Sequence, residues 1–155
     1  MRSEHAKGKN EIDVFCAFVS AGNLPYDLSA VEKRVPPQPD IVCVHESDGP
    51  IAFELVEICD PRLAEFNATV KEGGAYYMRT ADPSAQIVKK KLSRKYQTNY
   101  PIELLCYTAG RVVSPANFII STIRPLFRAR RHAFCRAWLL SRGRVHEVWK
   151  AQLPL

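Results

Sequence analysis

The segment "PDIVCVHESDGPIAFELVEICD", from Pro39 to Asp60, decides the fold that we predict for this chain. It contains two apolar runs, Ile41 to His45 and Ile51 to Ile58, which flank a polar stretch from Glu46 to Pro50. Two short apolar runs around a polar stretch with glycine and proline are typical of a β-hairpin. The segment therefore predicts two neighbouring strands joined by a tight connection.

Three carboxylates lie in this predicted hairpin: Asp40 opens the first strand, and Glu54 and Glu57 lie inside the second. Side chains alternate between the two faces of a strand, so Glu54 shares its face with the apolar residues Ala52 and Val56. Glu57 lies on the opposite face unless the strand bulges. A charged group among apolar neighbours is costly unless its charge is compensated. Glu54 therefore needs a partner or contact with solvent.

Two explanations of Glu54 remain open at this level. Either it pairs with an arginine or lies on a solvent-exposed edge strand, or it binds a divalent cation. Magnesium prefers one or two carboxylates together with waters and substrate phosphates. Asp40, at the start of the neighbouring strand, and Glu11, in the first predicted helix, are the candidate further ligands.

Helical and strand patterns alternate along the rest of the chain. The first helix has Asn10 as a candidate N-cap, or begins earlier near Ser3, and Gly22 is a candidate C-terminal stop. The other predicted elements are a short strand at 30–35, a segment of helical spacing after Asp60 that Gly73 and Gly74 interrupt, a helix at 85–97, a strand at 101–107, a helix after Pro115 that Pro125 breaks or kinks, and strands at 134–141 and 145–149.

This order of elements predicts the fold class. A strand meander followed by a helix and another strand is typical of an α/β sheet with helices on its faces. No repeat and no long linker divides the chain, so we predict one domain over residues 1–155 with a central mixed sheet and flanking helices.

Size and composition fit a folded protein with a core of its own. The chain has 155 residues, of which 46% are hydrophobic and 25% charged, as in globular domains. Its five cysteines are scattered without a CxxC pair, which indicates reduced thiols. No apolar run approaches the roughly 20 residues that span a bilayer, and the N-terminal segment is polar. We therefore expect a cytoplasmic protein without a membrane partner.

Charge is distributed unevenly along the chain. Residues 1–82 contain 8 Lys and Arg against 14 Asp and Glu, and residues 83–155 contain 14 against 2, so the net charges are −6 and +12. An acidic half suits a cation, and a basic half suits a polyanion such as nucleic acid, although a solvated basic face without a partner is the alternative. The candidate nucleic-acid-binding residues are five arginines of the last predicted helix and the strand after it: Arg124, Arg128, Arg130, Arg131 and Arg136.

Pro39-Asp40, the hairpin and Glu54 within an apolar strand together resemble the PD-(D/E)XK nuclease-like superfamily, also called restriction-endonuclease-like. The predicted elements from about Glu11 to Tyr107 are similar in order to the αβββαβ core of that family, with the C-terminal helix and β-hairpin as additions. The resemblance implies that Asp40 and Glu54 bind Mg²⁺ or Mn²⁺, often with an acid of the first helix, here Glu11. It also implies hydrolysis of phosphodiester bonds in nucleic acid, DNA before RNA. A homodimer is a candidate assembly, because small nucleases often act as dimers.

The sequence departs from the family pattern at one position. The family has a lysine two residues after the second acid, which orients or activates the attacking water, but Val56 stands there in this chain. Some members carry this lysine on the following helix, and the resemblance then indicates Lys91 first and Lys95 second as catalytic residues beside Asp40 and Glu54. Lys91 and Lys95 are four residues apart, which places them on one face of a continuous helix. The other explanation is that catalysis has been lost.

Two alternatives to a nuclease are compatible with the same composition. One is a nucleic-acid-binding module on the same scaffold, with a degenerate site and no turnover, which metal-dependent cleavage would exclude. The other is a protein-interaction component whose basic face meets an acidic protein. Nucleic-acid binding that weakens steeply with salt favours the nuclease or the binding module over the interaction component.

Overall fold

A computed structural model of the chain describes residues 4–62 and 82–152. The helices and strands within these ranges are, in chain order, α1 (Glu4–Gly22), β1 (Tyr26–Lys33), β2 (Ile41–His45), β3 (Gly49–Glu57), α2 (Ser84–Leu92), β4 (Ile102–Tyr107), α3 (Ala116–Ala129), β5 (Phe134–Ser141) and β6 (Arg144–Lys150). Most of the predicted segment of helical spacing after Asp60, with its glycine pair at 73–74, lies outside the described residues.

All six strands form one sheet, in the order β1-β2-β3-β4-β5-β6. The strands β1, β2 and β3 are antiparallel, β4 is parallel to both β3 and β5, and β6 returns antiparallel to β5. Parallel neighbours need a crossover connection, and α2 and α3 lie in the two connections concerned. The predicted α/β class with a mixed sheet is therefore confirmed.

Helices cover the sheet on both faces. On one face, Phe15 and Phe18 of α1 pack against Phe53 of β3, with ring centroids 4.9 and 5.8 Å apart. On the other face, α2 and α3 contribute buried residues such as Val88 and Ile123 to a second apolar cluster.

The strand β4 is the most deeply buried. All of its residues are buried, because it has parallel neighbours on both sides and helices on both faces. Its one charged side chain, Glu103, accepts hydrogen bonds from Tyr26 Oη at 2.9 Å and from Trp138 Nε1 at 2.7 Å. The predicted buried strand at 101–107 is thus confirmed, and two neutral donors hold its carboxylate.

Two predicted boundaries differ from the structure by four or five residues. The strand β1 begins at Tyr26 instead of at residue 30. Tyr26 is buried, but the three residues after it are exposed, so the start of this edge strand resembles a loop in sequence. The helix α2 ends at Leu92 instead of at residue 97, because Ser93 caps its C-terminus and donates its hydroxyl to the carbonyl of Lys90.

The predicted start and end of α1 agree with the structure, whereas the predicted break at Pro125 does not occur. The early start of α1 is the correct one of the two alternatives, and the helix ends at Gly22 as predicted. Pro125 does not break α3, which continues to Ala129. The C-terminal hairpin turns at Arg142 and Gly143, whose φ angles of 51° and 74° are those of the left-handed turn that matches the strand twist.

Two further expectations concern the cysteines and the membrane. All five cysteines have free thiols, as predicted. Within the two described ranges, no helix has the length and apolar character needed to cross a membrane.

Candidate functional site

The candidate site begins where β2 and β3 separate. The pairing of the two strands ends at Ile41 opposite Phe53, and the next residues of the two strands are Asp40 and Glu54. The main-chain N–H of Leu55 donates to Asp40 Oδ2 at 2.9 Å, and the main-chain N–H of Asp40 donates to Glu54 Oε1 at 3.1 Å. Side-chain oxygens thus replace main-chain acceptors at the end of the ladder, and they hold the two acids side by side.

The second oxygen of Glu54 is surrounded by donors from the segment that includes α2. Lys91 Nζ lies 3.0 Å from Glu54 Oε2, and Tyr96 donates its hydroxyl to the same oxygen at 3.1 Å. Arg94 lies farther away, at 3.8 Å. Glu54 is only 3% exposed. Its predicted need for a partner is therefore confirmed, and the partner is chiefly a lysine.

The first helix contributes an acid to the same place. Glu11 is 4% exposed, and its Oε2 lies 3.0 Å from Lys33 Nζ at the end of β1. Lys33 and Glu11 form an ion pair, and Glu11 Oε2 accepts no hydrogen bond from the described residues. Lys33 Nζ also lies 3.6 Å from Asp40 Oδ1, so one ammonium group bridges the two acids.

One cleft, with a volume of about 330 Å³, contains all five residues that the sequence indicates as metal-binding or catalytic. They are Glu11, Asp40, Glu54, Lys91 and Lys95. The segments that supply them are far apart in the sequence, and the three acids come from α1, from the start of β2 and from the middle of β3. The structure therefore brings the predicted residues together.

The two predicted lysines have different positions in the cleft. Val56 packs against the apolar cluster under α2 and α3, and Lys91 reaches Glu54 from α2. Lys95 lies beyond the end of α2, exposed at the cleft, so the assumption that it shares a helical face with Lys91 is wrong. Of these two predicted lysines, Lys91 is the one that contacts an acid of the site, Glu54.

A second groove, of about 480 Å³, adjoins the cleft and shares Lys7, Glu11, Leu55 and Lys91 with it. Glu57 lies in this groove, where its carboxylate accepts a hydrogen bond from Arg111 Nε at 2.8 Å. The pairing of β3 with β4 is regular through Glu57, so the strand does not bulge to turn this side chain toward Asp40.

Burial and mutual repulsion change the acidity of the site. Burial, and next the charge of Asp40, raise the pKa of both Glu11 and Glu54. Burial and the neighbouring Glu54 also raise the pKa of Tyr96, so its hydroxyl keeps its proton and acts as a donor. Asp40 is therefore the central acid, since its charge acts on the other two.

The raised pKa of Glu54 predicts a particular dependence of stability on pH. Above pH 4.5, the ordinary pKa of this side chain, the unfolded chain loses its proton while the folded protein still holds it. The free energy of unfolding contributed by this proton therefore falls as pH rises through the raised pKa. Glu54→Gln has no such proton, so the difference in unfolding free energy, wild type minus variant, should decrease from pH 4.5 toward neutrality in urea titrations.

The opposite slope would contradict this interpretation. A difference that grows as pH rises would mean that Lys91 and the other donors lower the pKa of Glu54 by more than burial and Asp40 raise it.

The chemistry of the cleft fits Mg²⁺ or Mn²⁺, because hard divalent cations take carboxylate oxygens. The buried Oε2 of Glu11, which accepts no hydrogen bond from the described residues, is such an oxygen. The acids do not form a ready cage, however: among residues 4–62 and 82–152, no three His, Cys, Asp or Glu side chains are grouped so that they could hold a metal. The ammonium groups of Lys33 and Lys91 lie among the acids, so a metal ion would bind only with side-chain movement.

The five arginines predicted to bind nucleic acid lie elsewhere, since none is among the described residues that line the cleft. Arg124 donates to the main-chain carbonyls of Val148 and Glu147 and so ties α3 to β6. Arg136 pairs with Glu147 and lies over the ring of Trp138. The remaining three are exposed in and after the last turn of α3: Arg128, Arg130 and Arg131.

Sequence reasoning missed two side chains of the site. Lys33 was assigned only to a short strand, and its antiparallel pairing with Ile41, the residue after Asp40, is the signal that could have revealed its position. Tyr96 is not among the residues that the sequence indicates for the site, and its ring packs against Phe134. A buried tyrosine usually needs an acceptor for its hydroxyl, and that requirement indicates a nearby carboxylate.

No protein-family model matches this chain, and neither a curated protein nor a solved structure matches it. The function is therefore inferred from the cleft itself.

Proposed function

We propose that this protein is a metal-dependent nuclease with a PD-(D/E)XK-like core, which hydrolyses phosphodiester bonds of DNA or RNA. The observation that carries this proposal is the convergence of Glu11, Asp40, Glu54 and Lys91 on one cleft. The family pattern has a lysine two residues after the second acid, where this chain has Val56. Lys91 contacts that same acid, Glu54, as a lysine supplied from the following helix would.

The topology supports the same class. The helix α1, the antiparallel strands β1 to β3, the helix α2 and the strand β4 follow one another in the order of the αβββαβ core. Asp40 and Glu54 lie at adjacent positions where β2 and β3 separate, so the hairpin carries both motif acids. The strands β5 and β6 and the helix α3 extend this core.

The roles of the residues follow from their contacts. Asp40 and Glu54, with Glu11, would hold Mg²⁺ or Mn²⁺, which supplies a water of lowered pKa and compensates negative charge on the phosphate. Lys91 holds a positive charge beside Glu54 and is the group that orients the attacking water or offsets charge that develops in the reaction. Tyr96 donates to Glu54 and fixes the orientation of its carboxylate.

Basic residues around the cleft suit a phosphate backbone. Lys7, Arg94 and Lys95 line it, and Arg111 lines the adjoining groove, which extends the surface past β3 and β4. These residues line the cleft or the groove beside it, and the arginines of α3 do not, so we assign them the primary contacts with nucleic acid. Arg128, Arg130 and Arg131 are secondary contacts in this proposal.

A cleavage assay of the wild-type protein tests the proposal. Single- and double-stranded DNA and RNA are incubated with the protein in Mg²⁺, in Mn²⁺ and in EDTA, and cleaved ends are quantified. We expect cleavage in either metal and none in EDTA, with restoration when excess metal is added back. Cleavage that is unchanged in EDTA would contradict a metal-dependent site.

One observation favours a binding module without turnover as the second candidate. Lys33 and Lys91 already compensate the charges of the acids, so the cleft is balanced without a metal. If the protein binds nucleic acid in a salt-sensitive way but cleaves no substrate in Mg²⁺ or Mn²⁺, this second function is the correct one.

A further inference from the structure

Lys33 occupies an unusual position for a lysine at the end of an edge strand. Its ammonium group lies 3.0 Å from Glu11 Oε2 and 3.6 Å from Asp40 Oδ1. It also donates to the main-chain carbonyls of Arg34 and Asp40, at 3.1 and 3.2 Å. Four oxygens from three residues therefore surround one positive charge.

The first helix leaves room for this side chain. A Cβ atom at Gly8 would lie 3.3 Å from Lys33 Cε, closer than most such contacts, so glycine at this position lets the lysine pass against α1. The side chain of Lys33 is 29% exposed, which leaves it a direction in which to move toward solvent. The other lysine near Glu11, Lys7, is 61% exposed and lies 4.0 Å from Oε1.

We propose that Lys33 is a built-in counter-ion of the acidic site, and that a divalent cation and the Lys33 ammonium compete for the oxygens of Glu11 and Asp40. This inference rests on the metal-dependent function proposed above. Magnesium binds oxygens at roughly 2.0–2.1 Å, so it would need the same oxygens at closer range, and two cations within that space repel each other. Lys33 leaves the acids when the metal binds and returns when the metal dissociates.

Two consequences follow from this competition. The acids stay compensated without metal, so the fold does not depend on a metal ion. The affinity for the metal is lower than three acids would otherwise give, because displacement of Lys33 is part of the binding reaction. Removal of the Lys33 charge should therefore strengthen metal binding while it weakens the metal-free fold.

Direct titration with Mn²⁺ alone, followed by the electron paramagnetic resonance signal of the free ion, tests the inference without any measurement of cleavage. We expect Lys33→Met to bind Mn²⁺ about tenfold or more tightly than the wild type, within the range typical of coupled binding. The matched control is Lys95→Met, which removes the same charge from the lining of the cleft but not from between the acids, and should change the affinity by about threefold at most. Thermal unfolding in EDTA and in Mn²⁺ should show a larger stabilisation by Mn²⁺ for Lys33→Met than for either other protein.

Each outcome has a defined meaning. If the wild type binds Mn²⁺ through the carboxylates, and Lys33→Met and Lys95→Met bind it with equal affinity, the competition is overturned. The proposed nuclease is then left intact. If Lys33→Met binds Mn²⁺, and the double variant Lys33→Met/Asp40→Asn does not, the competition is supported. This holds even if the wild type binds no Mn²⁺. Absence of binding in every folded protein would overturn both proposals. If Lys33→Met does not fold, Lys33→Gln gives the same readout, because its amide removes the charge and still donates a hydrogen bond.

Discussion

Asp40→Asn is expected to reduce metal-dependent cleavage by about a thousandfold or more while the protein stays folded. Metal ions contribute several kcal/mol to the stabilisation of charge in such reactions, and each 1.36 kcal/mol corresponds to about a factor of ten in rate. The asparagine oxygen can still accept the hydrogen bond from the Leu55 main-chain N–H, so the end of the β2–β3 ladder should remain intact. Single-turnover cleavage rates, compared with the wild type at saturating Mn²⁺, measure the effect.

The matched control for this variant is Asp48→Asn, in the turn of the same hairpin. Asp48 contacts His45 and does not line the cleft, so its cleavage rate should stay within about twofold of the wild type, as for most surface substitutions. Glu54→Gln should reproduce the loss of Asp40→Asn. If both acid variants cleave at wild-type rates, the cleft is not the catalytic site.

Lys91→Met is expected to reduce the cleavage rate by about a hundred- to a thousandfold, the usual cost of removing one preorganised charge or donor from a reaction centre. The ammonium group is 3.0 Å from Glu54, and no lysine at position 56 can take over its role. We expect Mn²⁺ affinity at least equal to that of the wild type, because Glu11, Asp40 and Glu54 keep their oxygens and one ammonium group beside them is removed. The measurements are the single-turnover rate and the Mn²⁺ titration on the same preparation.

Lys95→Met separates the role of Lys91 from that of general positive charge in the cleft. Lys95 lines the cleft on an exposed segment after α2, so its loss should weaken nucleic-acid binding and reduce the salt dependence of that binding. At saturating substrate, the cleavage rate should change by only about a few-fold. Equal losses of cleavage rate in the two variants would show that the chain has no specific catalytic lysine. A folded Lys91→Met protein that has lost Mn²⁺ binding would assign Lys91 to the metal site instead.

The hairpin and its acids could be predicted from sequence because each depends on local rules. Alternation along β3 places Glu54 on the face with Ala52, and the polar turn fixes the pairing that puts Asp40 next to it. Lys91 was indicated by the resemblance to the PD-(D/E)XK superfamily, whose pattern has a lysine where this chain has Val56 and which in some members carries it on the following helix. The part of the site that lies within one hairpin could therefore be predicted from the sequence.

The rest of the site depends on contacts between distant segments. Lys33 meets Glu11 only because β1 pairs with β2 while α1 packs on one face of the sheet, and no local pattern contains both facts. The prediction that Lys95 shares a helical face with Lys91 was wrong because Ser93 ends α2. Charge counting directed attention to the arginines of α3, of which Arg124 has a structural contact instead. Composition measures how much charge a segment has, whereas the fold determines where that charge lies.

The way in which Asp40 and Glu54 are joined bears on how freely such a chain can diverge in evolution. Each of the two acids accepts one hydrogen bond from a main-chain N–H of this hairpin, that of Asp40 or that of Leu55. Main-chain donors are present whatever the side chains, so substitutions at 41–53 need only preserve the apolar alternation of the strands. The positive charge beside Glu54 comes from a separate segment, which can supply it from more than one position. Side chains of this hairpin can therefore change while its main-chain donors still hold the two acids side by side.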